Sequence, residues 1–144
     1  MQHPRDPQHW LYRFTSRQWI QAALAEITRA ESAFTNRDRK GGIACLRRAA
    51  GMAINGALAT YEHIDSKVGR SYMDHVIALS EDQTAPELAR ESAKILAHTP
   101  LPGAAVVVLR TANTDERLLE AARTVMAYAY AIVLKSEPND EGAT

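Results

Sequence analysis

A chain of 144 residues has the length of one domain and can bury a core without disulfides or metals to hold it. Apolar residues make up 46% and charged residues 24%, the balance of a soluble globular protein, and 17 basic residues match 17 acidic ones. Net charge therefore draws the chain as a whole to neither nucleic acid nor a membrane, although a local basic patch can still bind. Cys45 is the only cysteine, which excludes an internal disulfide and any multi-cysteine zinc site. Its place between Ala44 and Leu46 is that of a small core residue. Met1 to Pro7 has no hydrophobic segment and does not read as a secretory signal. The longest apolar run, Leu101 to Leu109, is broken by Pro102 and Gly103 and falls well short of the ~20 residues that cross a bilayer. A cytoplasmic protein without membrane contact is expected.

Residues 1–14 are polar and punctuated by proline, with Trp10, Leu11, Tyr12 and Phe14 as an apolar cluster. They read as an extended arm that docks through its aromatics. Thr15 or Ser16 caps a first helix whose apolar stripe is Ile20, Ala23, Leu24, Ile27, Ala30 and Phe34, ending near Asn36. A charged turn over residues 37–42 precedes a second helix from about Gly42 to Tyr61. Gly51, Gly56 and the alanines keep that helix thin, at a cost of roughly 1 kcal/mol per glycine. Close approach by a neighbouring helix is the expected compensation.

A third helix spans about Val68 to Ser80. Thr84 and Glu87 form a T-x-x-E capping pattern, with Pro86 in the first turn of a fourth helix that ends near Ala97. Its apolar positions are Leu88, Ala89, Ala93, Ile95 and Leu96. Residues 104–109 are rich in β-branched side chains but lack a pairing partner, and read as a buried turn or an extended linker. Asn113 and Glu116 open a last helix to about Lys135, with the stripe Leu118, Leu119, Ala122, Val125, Met126, Ala129, Ile132 and Val133. Residues 136–144 read as a mobile acidic tail. The fold class is all-α: one domain over residues 15–135, an antiparallel four-helix bundle with an additional short helix.

The sequence has no glycine-rich phosphate loop, no H-x-x-x-H metal pair and no nucleophile elbow. No metal or cofactor is implied. No convergent polar set marks a small-molecule pocket between helices. His63 and His98 read as helix C-terminal histidines, and Tyr128 and Tyr130 as packing or dimer contacts. The one concentration of chemistry is the stretch Lys67 to Val76, where Arg70-Ser71-Tyr72-Met73-Asp74-His75 sits at a chain turn.

An all-helical domain of this size, with an alanine-rich second helix followed by Arg-x4-His, resembles the HEPN superfamily. Arg70 and His75 carry the motif, and Ser71 is the polar residue that often follows the arginine. Ile77 stands where some branches of the family have an aromatic residue, which sets this chain apart from those branches. The resemblance implies a homodimer in which two motifs face each other and cleave RNA without metal. Arg70 would hold the scissile phosphate and stabilise developing charge, while His75 would act on the 2′-hydroxyl or the leaving oxygen. Ser71 or Asp74 would orient the ring or the RNA, and Tyr72 would stack on a base. Arg37, Arg39, Lys40, Arg47 and Arg48 would track phosphates. Other family members pair with nucleotidyltransferases or only bind, so the expected partners are RNA, a second copy, and a nucleotidyltransferase-like or antitoxin protein.

The residues also allow a structural reading. On a continuous helix Arg70 and His75 point about 140° apart. Arg70 and Asp74 have the spacing of a surface ion pair, and Val68, Tyr72, His75 and Leu79 have core spacing. A non-catalytic helical interaction module is the alternative.

Overall fold

The computed structural model describes residues 2–4, 9–61, 63–65, 69, 71–100 and 112–138, with residues 2–4, 63–65 and 112–113 described by their backbone alone. The run at 104–109, Arg70 and residues 139–144 lie outside the described residues. The described chain is helical apart from one short strand pairing: α1 (Ser16–Thr35), α2 (Arg39–Leu58), α3 (Tyr72–Glu81), α4 (Glu87–His98) and α5 (Ala112–Ser136). The strands β1 (Gln2–Pro4) and β2 (His63–Asp65) pair antiparallel, with His3 opposite Ile64. His63 therefore lies in a strand and not at a helix terminus. Trp10–Arg13 forms a 3-10 turn capped by the His9 ring, where an extended arm was expected.

The capping chemistry sets the boundaries. Thr15 Oγ1 accepts from Gln18 N at 3.1 Å while Gln18 Oε1 accepts from Thr15 N at 2.8 Å, which opens α1 with a reciprocal box. Asp38 accepts from Gly41 N and starts α2 at Arg39, so most of the charged turn is helix. At the end of α1, Asp38 N bonds to Ala33 O and Arg37 N to Phe34 O, a Schellman closure with Arg37 in the left-handed region at φ 62°. The expected Thr84 and Glu87 box does not form. Thr84 instead donates both N–H and O–H to Asp82 Oδ1, and α4 starts behind Pro86 with no side-chain cap. A Ser71 and Asp74 box opens α3 at Tyr72.

Helix α2 is the common wall, packing against α1, α3, α4 and α5. Its thinness has the expected use: a Cβ on Gly51 would lie 2.3 Å from the Tyr72 Cβ, and one on Gly56 would lie 3.0 Å from the Ser16 carbonyl oxygen. Gly51 thus lets α3 begin in direct contact with α2, which fixes the position of the first turn carrying His75. The alanines 49, 50, 53 and 57 are buried on the same helix. Leu24 and Leu88, placed in the apolar stripes by spacing, are instead exposed, Leu88 at 69%. The docking of the N-terminal aromatics holds as expected. Leu11 is fully buried, its carbonyl accepts from Trp19 Nε1 at 2.8 Å, and Phe14 meets the Trp19 ring edge-on. Helix α5 continues to Ser136, and Glu137 forms a two-pronged ion pair with Arg17, so the chain is held through 137 rather than released at 136.

Candidate functional site

His75 lies in the first turn of α3 and is only 3% exposed. The Trp10 ring stacks on it, with centroids 5.9 Å apart and planes 14° from parallel. Its Nε2 sits 2.5 Å from the Gly69 carbonyl oxygen. A carbonyl only accepts, so Nε2 carries the proton and Nδ1 is left with its lone pair. Nδ1 is buried and has no hydrogen-bond partner among the described residues. Burial lowers the His75 pKa below 6.5, against weaker opposing effects from the Gly69 hydrogen bond and the Asp74 charge. The ring is therefore neutral at neutral pH, with one acceptor unsatisfied among the described residues.

The neighbours expected to support catalysis serve the backbone. Ser71 Oγ accepts from Asp74 N at 3.0 Å, and Asp74 Oδ2 accepts from Ser71 N at 3.3 Å. Tyr72 packs on Gly51 and joins the cluster of Leu11, Trp19 and Ala59. Helix α3 begins at Tyr72 behind its Ser71 cap, later than the expected start near Val68.

The basic zone divides. Arg39 is 7% exposed and its Nε bonds to Asp115 Oδ1 at 3.2 Å. Arg47 donates to the Leu96 and Thr99 carbonyls and so closes the end of α4. Arg48 pairs with the buried Glu26 at 3.2 Å and donates to Cys45 Sγ. Arg37 and Lys40 are exposed. From Lys40 to Ile54 the helix rises by about 20 Å, so these two cations stand well away from His75.

Next to His75 lies a cleft of about 720 Å³ between α2, α3 and α5. Helix α2 contributes Ile54, Ala57 and Leu58, and Tyr61 follows just beyond its end. Helix α5 contributes Tyr128 and Ile132. From α3 come His75, Asp74 and Glu81, and Asp82 just beyond its end. Burial raises the Tyr128 pKa, and the negative charge of Asp82 and that of an ionised Tyr61 add to the rise. Asp82 is held ionised by its two hydrogen bonds from Thr84. Tyr128 thus faces a cavity in addition to its packing contacts.

Sequence reasoning also missed Asn55. It is fully buried on α2, one turn beyond Gly51, with neither its amide nitrogen nor its oxygen bonded among the described residues. The only signal was an amide set in a run of alanine and glycine. Burial pushes the Cys45 thiol up, away from a reactive thiolate. No group of three or more His, Cys, Asp or Glu among the described residues could hold a metal ion. No helix of the described residues is long and apolar enough to cross a membrane. Compared with known proteins, the chain matches no family model, no curated protein and no solved structure.

Proposed function

We propose that this protein is a non-catalytic helical binding module with a HEPN-like arrangement, a bundle of α1, α2, α4 and α5 with α3 as the additional short helix, and that its ligand enters the cleft between α2, α3 and α5. The observation that carries the reading is the sealing of His75. A ring that is 3% exposed, stacked under Trp10 and hydrogen-bonded to Gly69 is a wall of the cleft, not an open proton-transfer group. The described charges favour the same reading. A phosphodiester placed about 6 Å from one carboxylate would meet roughly 3 kcal/mol of repulsion at an effective dielectric of 20, and the cleft has three carboxylates.

One observation favours a second reading, metal-independent RNA cleavage by a homodimer. The bare Nδ1 of a neutral imidazole is the form a general base requires. Arg70, placed ahead of the α3 cap, would hold the phosphate. The two readings separate when purified protein is incubated with mixed RNA in EDTA beside Arg70→Ala and His75→Ala variants of intact helicity. The binding module leaves the RNA whole in all three. Cleavage by the wild type that both substitutions abolish overturns it.

A further inference from the structure

We propose that the α2–α3–α5 cleft binds a small organic cation, a protonated amine carried on an apolar body. The inference rests on the binding-module reading and names the ligand class of the same site. Among the described residues the lining is rich in acceptors and has no lysine or arginine. Asp82 and Glu81 bring charge to the rim, while Asp74 is already engaged with the Ser71 N–H. Arg90 acts on Asp82 from outside the cleft, where it donates to Ala85 O and Gln83 Oε1.

A second and independent feature is the imidazole of His75. It forms part of the wall, is more than nine-tenths buried, and carries an acceptor for which the described residues supply no donor. Nδ1 is closed to solvent beneath Trp10, so an occupant that brings an N–H group reaches it as the ring wall shifts to admit it. Tyr61 and Tyr128 line the same cleft as Asp82, and aromatic rings with a carboxylate are the groups that hold ammonium ions. The remainder of the lining, Ile54, Leu58 and Ile132, is apolar and suits a hydrocarbon body. An anion meets the carboxylates, and a neutral alcohol leaves them without a counter-charge. The amine satisfies both.

Calorimetric titration of the full chain at low salt with phenylbutylamine, phenylbutanol and phenylbutyrate tests the inference. The amine is expected to bind about tenfold tighter than the alcohol, with the carboxylate weakest. Glu81→Gln and Asp82→Asn should each weaken the amine several-fold and leave the alcohol unchanged. Because Asp82 also organises the turn before α4, the exposed Glu81 provides the variant that leaves the fold intact, and Ala78→Arg on the cleft wall should abolish binding. Equal affinity for amine and alcohol would overturn the cation inference and leave the binding module standing. No binding of any probe would sink both. Amine binding untouched by all three substitutions would place the site elsewhere and overturn the inference.

Discussion

Along the first half of α2 the fold consumes its cations, whereas toward the carboxyl end it leaves polar groups over. Arg39, Arg47 and Arg48 have the sequence appearance of a nucleic-acid patch, yet each is bonded within the molecule, to Asp115, to the last carbonyls of α4 and, from a half-exposed side chain, to Glu26. Roughly 10 to 24 Å further along that helix both polar atoms of Asn55 are buried without partners among the described residues, as is Nδ1 of His75 on the adjoining α3. Buried polar groups are nearly always satisfied, and an unsatisfied one costs about 1–3 kcal/mol. The contrast teaches that charge density along a sequence is a poor guide to a binding site. Groups that the fold fails to satisfy are a better one.

The largest expected effect tests the consumed end. Arg39 and Asp115 have side chains 7% and 13% exposed, so removing one partner strands a charge in a poorly solvated place. Asp115→Ala should cost about 3 kcal/mol in urea denaturation, while the pair Arg39→Met with Asp115→Leu should recover most of the loss. A cost below about 0.5 kcal/mol, the range of surface pairs, would mean that Arg39 is free to meet an outside partner, and the contrast between the two ends would fail.

The sequence made the helices legible because periodicity and caps are local. The α5 stripe from Leu118 to Val133, the Thr15 cap and the small-residue face of α2 can all be read from neighbours within a turn or two. What escaped depended on choices between local options. Thr84 had two partners within reach, Asp82 two residues back and the first turn of α4 ahead, and the nearer carboxylate won. Leu88 keeps helical spacing, but it stands in the first turn of α4, whose buried face is made by Ala89, Ser92, Ala93 and Leu96. The cleft could not be found at all. Tyr61, Asp82 and Tyr128 are brought together by the packing of three helices, and nothing in the spacing of any one of them announces the other two. His75 was legible as a special residue. Its sealing by Trp10, from a segment that precedes α1, was not.

The second prediction tests the sealed ring at the other end. The folded His75 has a pKa below 6.5, so below that pH the unfolded chain takes up a proton that the folded chain refuses. The unfolded state then binds more protons, and stability must fall with falling pH, by at most about 1.4 kcal/mol per pH unit. Asp82 and Glu137 are held below 3.8 and 4.5 respectively, and their stabilising contributions are lost only in the carboxylate range. Between about pH 5 and 6.5 the decline therefore belongs to His75 and not to them. Thermal unfolding across this window should show the decline in the wild type and a nearly flat profile in His75→Gln. A wild-type profile that is flat already would mean that the ring titrates freely in the folded state, and that Trp10 does not seal it.

The smallest effect concerns Arg37, an exposed cation at the consumed end whose backbone sits where glycine is preferred. A side chain in the left-handed region costs roughly 1–2 kcal/mol, and glycine at the position closing a Schellman motif removes that cost. Glycine also gives the unfolded chain more freedom, worth about 0.4–1 kcal/mol against folding. The difference favours Arg37→Gly by about 0.5 kcal/mol, a small rise in the urea midpoint with the slope unchanged. The same variant separates strain from charge. If Arg37 holds its strained position because its guanidinium tracks phosphates, Arg37→Gly should gain stability and lose affinity for RNA together. If stability rises and no affinity changes, the last exposed arginine of the basic zone is a tolerated side chain at a turn, and binding belongs to the other end of α2.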